Sequence, residues 1–297
     1  MAFNWETFRT RTLSAIVFAV VMLAGLFINQ WSFLLLFSII HFGCWWEYWK
    51  LMEKIYNTRF HAFTKVGLMV MGYGLLLWFC GPEHFSVKDY SIKGNLALPV
   101  SAAGFVVLLV GIFQKNAISL RAFGAAFLGI FYISLSWGLM MNMYGIETGN
   151  PLLYKDSNGY LIYFPLVIIS CMWINDTMAY IVGSLIGKTP FSKISPKKTW
   201  EGTIGGVILA SLIVGYIAFI FDEWFVFNHS FKWWATLAAI AAITGTLGDL
   251  LESKLKRLAG VKDSGNMMPG HGGFLDRFDS LLLATPFAWL FIKLFLD

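Results

Sequence analysis

The sequence predicts an all-α fold, a polytopic bundle of about nine transmembrane helices with its N-terminus in the cytoplasm. Three observations predict it. First, the 297 residues are 58% hydrophobic and only 13% charged, with a mean hydropathy of +0.66. A soluble globular domain carries about 45–50% apolar and about 25% charged residues, so this chain has too little polar surface to face water. Second, the apolar residues fall in runs close to the ~20 needed to cross a ~30 Å hydrocarbon core as helix. Third, the basic residues gather in alternate connections between those runs.

In chain order, Arg9 and Arg11 precede an apolar run, Leu13 to Ile28, that superficially resembles a signal peptide. No clear small-residue cleavage site follows and a second apolar run begins at Trp31, so the first run reads as an uncleaved span, 12–29. The further expected spans are 31–49, 64–81, 95–113, 121–142, 161–184, 203–221, 233–250 and 280–296, of which the second and ninth are short or interrupted. Between the fifth and sixth spans, Tyr144 to Tyr160 is rich in Gly, Asn and Asp and reads as a loop. It separates N-terminal transmembrane helices (1–150), almost without ionisable groups, from a C-terminal transmembrane region (151–297) in which carboxylates appear at span ends. The later region is expected to hold the catalytic chemistry. No internal repeat is evident.

Orientation follows from charge. With the N-terminus inside, the cytoplasmic segments hold Arg9, Arg11, Lys50, Lys54, Arg59, Lys65, Lys115, Arg121, Lys188, Lys193, Lys197, Lys198, Lys254, Lys256, Arg257, Lys262 and Arg277. The opposite loops hold only Lys88, Lys93, Lys155 and Lys232. This asymmetry favours an N-in, C-out arrangement and a multi-pass location in the cell inner membrane. The net charge of +5 and pI near 9.0 would suggest nucleic acid in a soluble protein. In short inter-span loops they point instead to anionic lipid headgroups and phosphorylated substrates, with no nucleic-acid partner. Cys44, Cys80 and Cys171 are far apart within apolar segments, so they read as buried free thiols and not as a disulfide or metal framework.

Three constellations carry candidate chemistry. Asn175-Asp176-Thr177 lies in the sixth expected span, where an ionisable group costs about 2.5–3.5 kcal/mol on insertion scales and usually faces a cavity or a partner. At 1.5 Å per residue, Asp176 falls about 22 Å along that span, near the cytoplasmic interface. Gly187 to Gly202 gathers Lys188, Lys193, Lys197 and Lys198 with Thr189, Ser192, Ser195 and Thr199. Point charges with hydroxyls and Gly-exposed amides suit phosphate. The Gly-Lys-Thr run is not a P-loop, since the preceding Gly of that spacing and its strand are missing. A plain positive-inside anchor would account for these lysines equally well.

The third constellation is the most informative. Gly248-Asp249 through Ser253, Lys254, Lys256 and Arg257 is followed by Lys262-Asp263-Ser264-Gly265 and by Pro269-Gly270-His271-Gly272-Gly273-Phe274-Leu275-Asp276-Arg277-Phe278-Asp279. Oxygen-only carboxylate clusters suit a hard cation such as Mg²⁺, which keeps waters and takes one or two carboxylates plus substrate phosphates. Asp276 and Asp279, three apart, share a face if helical. Asp249 comes from another span end, so converging carboxylates would hold two ions. Glycines permit close backbone approach. A lone His without a second His or Cys makes no zinc site.

Ser253, Lys256, Arg257, Lys262, Asp263, Gly265, Pro269, His271, Gly272, Gly273, Asp276, Arg277 and Asp279 together resemble the signature of the phosphatidate cytidylyltransferase (CDP-diacylglycerol synthase) family. Met268 departs from it conservatively. The runs Asn175-Asp176-Thr177 to Gly187-Lys188 and Ser195-Pro196-Lys197-Lys198-Thr199 to Glu201-Gly202 also look like that family, so the resemblance covers the C-terminal part of the chain. It implies transfer of a cytidylyl group from CTP to phosphatidic acid, giving CDP-diacylglycerol and pyrophosphate for phospholipid biosynthesis. It also implies a homodimer in the membrane lipid and Mg²⁺ with K⁺ at a paired-metal site, for which Asp249 and Asp276 would be the metal carboxylates.

Together the residues and the resemblance give expected roles. Asp249, Asp276, Lys256, Arg257, His271 and Asp279 are expected to be catalytic. Asp176, Lys188, Ser195, Lys197, Lys198, Thr199, Ser253, Lys262, Asp263, Gly272, Gly273 and Arg277 are expected to bind substrate. Two rivals fit less well. A CDP-alcohol phosphotransferase would show an Asp-Gly-x-x-Ala-Arg start, which is absent. A transporter would show two related halves with broken helices, whereas the polar residues here concentrate in one half.

Overall fold

The computed structural model describes residues 5–114, 118–144, 163–225, 229–267 and 272–296. Residues 145–160 of the expected loop Tyr144 to Tyr160, Lys115, and Met268, Pro269, Gly270 and His271 of the third constellation lie outside them. The described chain is almost wholly helical: α1 (Trp5–Phe27), α2 (Gln30–Ile55), α3 (Ala62–Trp78), α4 (Leu98–Ile112), α5 (Leu120–Phe127), α6 (Ser136–Met143), α7 (Tyr163–Ile186), α8 (Trp200–Phe225), α9 (Phe231–Leu258) and α10 (Phe274–Phe295). π-Helical turns at Lys93–Ala97 and Ile130–Leu135 lead into α4 and join α5 towards α6. The sole sheet among the described residues is a two-stranded ribbon, Ser86–Val87 with Tyr90–Ser91.

Among the described residues, six helical stretches are long and apolar enough to cross a membrane: Lys93–Ile112, Leu120–Met143, Tyr163–Ile186, Trp200–Asp222, Phe231–Leu258 and Phe274–Phe295. Each matches an expected span, and many of their large apolar side chains, such as Leu98, Leu120, Leu185 and Leu294, are exposed. Outward apolar surface of this kind suits lipid and not water. The first three helices are less clear-cut. Among the described residues the apolar helices Ile16–Phe27 within α1 and Ala62–Trp78 (α3) are shorter, and α2 carries Glu47, Lys50, Glu53 and Lys54 in its second half. Four boundaries differ from the sequence reading by six or more residues. α1 is already helical at Trp5 instead of residue 12, α2 continues to Ile55 instead of 49, α9 continues to Leu258 instead of 250, and α10 begins at Phe274 instead of 280, because charged residues prolong these helices beyond their apolar stretches.

The chain divides into two compact units, residues 1–141 with 255–278 and residues 142–254 with 279–297. In the first, α3 packs on α4 through small residues. A Cβ at Gly104 would strike the Met71 backbone, so only glycine lets the two helices approach this closely. α2 opens with a capping box, in which Asn29 accepts from Trp31 and Ser32 amides and Ser32 accepts from the Asn29 amide. Its buried face is aromatic. Trp45 lies 5.7 Å from Trp49, and Phe37 lies 5.2 Å from Trp137. The Trp45 indole donates to Ser134 Oγ at 2.9 Å, and His41 Nε2 lies 2.9 Å from the same oxygen. In the second unit α7 packs on α8, with Gly206 set directly against Ala179. Cys44, Cys80 and Cys171 are buried and form no disulfide among the described residues, as expected.

Candidate active site

In the second unit, a cleft of about 360 Å³ lies among α7, the loop before α8, and α9. α7 contributes Asn175, Asp176, Ala179, Tyr180 and Gly183. The loop contributes Ser195, Lys197, Lys198 and Thr199, α8 contributes Thr203, and α9 contributes Thr246 and Asp249.

The loop is a closed hairpin. Pro190 and Thr199 form an antiparallel bridge, the Phe191 amide donates to Lys198 O at 2.8 Å, and the Trp200 amide donates to Thr189 O at 3.0 Å. The Phe191 and Trp200 rings meet edge-on at 4.5 Å. Glu201, in the first turn of α8, accepts from the Lys188 amide at 3.2 Å, the Thr189 amide at 3.2 Å and the Thr189 hydroxyl at 2.8 Å. Thr199 caps α8 by accepting from the Gly202 amide at 3.1 Å. The expected substrate residues Asp176, Ser195, Lys197, Lys198 and Thr199 therefore share one cleft. Lys188 is exposed and does not line it. Its backbone serves as an anchor for the hairpin.

Asp249 closes this cleft. Lys198 Nζ donates to its Oδ2 as an ion pair, and Ser253 Oγ donates to Oδ1 at 3.2 Å. Ser253 sits one turn beyond Asp249 on α9, so the serine expected to touch substrate also steadies the carboxylate. Nearby, Asn175 is buried, and its amide nitrogen reaches Thr246 Oγ1 at 3.4 Å.

The first unit holds the signature from Lys256 to Phe278. α9 ends in a Schellman motif. Gly260 has φ +67°, its amide donates to Arg257 O, and the Val261 amide donates to Lys256 O. The chain then turns back to place Ser264 beside α10. Asp276, in the first turn of α10, pairs with Lys256 Nζ at 2.6 Å through Oδ1. Its Oδ2 faces the Gly273 amide at 2.7 Å, the Ser264 amide at 2.9 Å and the Ser264 hydroxyl at 2.9 Å. The Gly273 contact is the return half of a capping box, an acidic third residue reaching back to the helix-opening amide. Gly272 has φ +88°, and a Cβ there would press on the Asp276 carboxylate at 2.6 Å. Arg257, Lys262, Asp263 and Arg277 are exposed, and Arg257 donates to Val261 O at 3.4 Å. Asp279 belongs to the second unit, where its Oδ1 accepts from the Ser280 amide at 2.7 Å.

One residue was not anticipated from the sequence. Glu47 on α2 is 4% exposed, and its Oε2 accepts from the Leu275 amide at 2.9 Å and the Ser264 hydroxyl at 2.7 Å. A Cβ at Gly265 or Gly273 would overlap its carboxylate. The close approach that the sequence reading assigned to these glycines is thus to a protein carboxylate. A cost argument was available, since Glu47 interrupts an expected apolar span as Asp176 does, but no recognisable motif surrounds it.

The donor sets fit magnesium. Each of Asp249 and Asp276 presents carboxylate oxygen with a serine hydroxyl beside it. Among the described residues no three His, Cys, Asp or Glu side chains converge as a complete protein cage. Mg²⁺ needs no such cage, because waters and substrate phosphates complete its shell.

Comparison with known proteins covers nearly the whole chain. A protein from Staphylococcus saprophyticus named phosphatidate cytidylyltransferase is 33% identical over 94% of this chain and 96% of its own length. Proteins of the same name from Staphylococcus aureus and Synechocystis are 31% and 29% identical, covering 94% and 96% of this chain and 96% and 97% of their own lengths. The likeness thus extends well beyond the C-terminal signature that first suggested it. A sequence profile of the cytidylyltransferase family matches residues 9–295, signature and N-terminal helices alike, and the chain belongs to that family.

Proposed function

We propose that this chain is an integral membrane phosphatidate cytidylyltransferase, joining CTP to phosphatidic acid to give CDP-diacylglycerol and pyrophosphate. The observation that carries the reading is the family match along nearly the whole chain. The basic, hydroxyl-lined cleft that ends in Asp249 supports it.

The reaction is an in-line displacement at the α-phosphorus of CTP. A phosphatidate oxygen forms the new P–O bond, the bond from the α-phosphorus to the bridging oxygen breaks, and pyrophosphate leaves with the electron pair. A phosphate monoester has a second pKa near ~6, so the nucleophile is already anionic near neutral pH and needs no strong base. Positioning and charge neutralisation dominate such transfers. Lys197 and Lys198 on their closed hairpin are placed to draw phosphate into the cleft, with Ser195 and Thr199 beside them. Arg257, Lys262 and Arg277 present further positive charge for the triphosphate or the lipid phosphate. Asp249 and Asp276 would hold Mg²⁺, with K⁺ at the paired position. Bound there, the ion supplies charge neutralisation on the phosphates.

The finer topology belongs to this reading. Nine spans, an inside N-terminus and an outside C-terminus place the lysine hairpin and the Lys256–Asp276 segment at the cytoplasmic face of the inner membrane. CTP arrives there from water and phosphatidic acid from the leaflet. In this reading residues 151–297 carry catalysis, residues 1–150 support it, and the enzyme works as a homodimer.

The test is incubation of detergent-purified protein with labelled CTP, Mg²⁺ and phosphatidic acid, followed by thin-layer chromatography of the lipid. A labelled CDP-diacylglycerol band that depends on phosphatidic acid is expected. Label transfer to an alcohol acceptor, no transfer from CTP, or transfer from dATP or UTP as good as that from CTP overturns the assignment.

A further inference from the structure

From the geometry around Glu47 we infer that this residue of the N-terminal half is a positioning residue for the reaction, holding Ser264 and the first turn of α10, with Asp276, in their working places. The inference rests on the proposed cytidylyltransfer.

The argument starts from cost. A buried carboxylate is tolerated only where hydrogen bonds replace lost water. Glu47 is 4% exposed, yet both contacts that satisfy Oε2 come from the signature, namely the Leu275 amide and the Ser264 hydroxyl. Leu275 lies in the first turn of α10, where backbone amides have no partner within the helix. Glu47 therefore serves as an acceptor for the start of α10 supplied from a distant helix. Ser264 has a single hydroxyl hydrogen, and Glu47 at 2.7 Å and Asp276 at 2.9 Å are alternative acceptors for it. The same serine thus ties Glu47 to the carboxylate assigned to the cation.

Glu47 is also rigidly held. It rides on α2 between buried Trp45, Tyr48 and Trp49, and the Tyr48 hydroxyl donates to Ala125 O at 2.6 Å. On the other side, Gly265 and Gly273 leave room for the carboxylate and for nothing larger than hydrogen. A fixed support meets a segment shaped around it, which is how a reacting group is held to sub-ångström tolerance. Glu47 and its two hydrogen-bond partners belong to the first unit, and the residues lining the lysine cleft to the second. Its contribution should appear in turnover and not in CTP affinity.

Three variants separate position from charge. Glu47→Gln keeps length and one acceptor oxygen. Glu47→Asp keeps charge but withdraws it by one methylene. Glu47→Ala removes both. Each is purified, checked for monodispersity by size exclusion, and assayed for kcat and for KM towards CTP. We expect Glu47→Gln to stay within about tenfold of wild-type kcat. Glu47→Asp and Glu47→Ala should lose about 10²-fold, the usual cost of a misplacement near 1 Å. KM for CTP should move by less than about threefold in all three, since uniform binding is untouched.

The inference is overturned if Glu47→Asp outperforms Glu47→Gln, if the loss appears in KM, or if all three turn over like wild type. It is equally overturned if Glu47→Asp and Glu47→Ala fail to give monodisperse protein while Glu47→Gln does, because Glu47 would then serve folding alone. Wild-type protein is assayed alongside. Inactivity there refutes the cytidylyltransfer reading itself, whereas active wild type with indifferent variants refutes only the role of Glu47.

Discussion

Replacing Asp276 with Asn removes one charge and almost no volume, so it probes the signature with little steric disturbance. In the native protein the carboxylate meets Lys256 Nζ through one oxygen and the Gly273 and Ser264 donors through the other. The amide of Asp276→Asn can offer its oxygen to the backbone donors, but its NH₂ then faces the Lys256 ammonium. Removing one member of a buried pair costs about 3–5 kcal/mol. The Lys256 and Asp276 side chains are 13% and 8% exposed. Some water therefore reaches the lysine, and a charged hydrogen bond at about 1.5–3 kcal/mol is the nearer measure.

That loss is smaller than the about 5–15 kcal/mol that holds typical domains together, so the variant should still elute as folded protein. Activity should fall much further. Loss of a cation ligand at the reacting phosphates is expected to cost at least about 10³-fold in pyrophosphate release, equivalent to about 4 kcal/mol of barrier. The assay is pyrophosphate release from CTP with phosphatidic acid, run on the monodisperse fraction. A double variant, Asp276→Asn with Lys256→Met, removes the stranded ammonium. It should recover thermal stability and not turnover. Turnover by Asp276→Asn within about tenfold of wild type would refute the reasoning, since an error of that size is within what local repacking alone can produce.

Further expectations follow from the second unit. Asp249→Asn should also abolish pyrophosphate release with little loss of folded protein, and near-normal turnover would remove Asp249 from the cation site. Lys197→Ala combined with Lys198→Ala should raise KM for an anionic substrate more than it lowers kcat; a pure kcat loss would point to contacts made only in the transition state. Glu201→Gln should loosen the hairpin, seen as faster proteolysis within 188–198 and a few-fold rise in KM for CTP, and an unchanged cleavage rate would show that the backbone bridges suffice. A tag inserted in the 188–200 hairpin should be labelled only from the cytoplasmic side, and labelling from outside would reverse the proposed orientation.

Much of this was legible in the sequence because membrane helices announce themselves by length and apolarity. The stretches from Lys93 onward that qualify as spans each answer to an expected run. The ends were less legible, since Lys254 to Leu258 and Phe274 to Asp279 are too polar to count as membrane yet helical all the same. There, caps set the limits, with Gly260 ending α9 and Gly273 opening α10. The lysines and Asp249 were found together because motif and charge both flagged them. Lys188 lies outside the cleft lining, and the sequence could not show this because side-chain direction within a hairpin is not encoded in composition. Glu47 was missed because its partners lie more than 200 positions away, and no local pattern records a hydrogen bond of that span.

The stitched hairpin from Lys188 to Glu201 has a consequence for how ligands arrive. A floppy basic loop must be immobilised each time an anion binds, which costs about 0.5–1.5 kcal/mol for every long side chain stilled and more for the backbone beneath. Here Glu201 and the Pro190–Thr199 bridge have already frozen the backbone before any encounter. Association can then approach a lock-like event, in which affinity rises mainly through slower departure. Competing anions of the wrong shape gain nothing from a surface that does not yield to them.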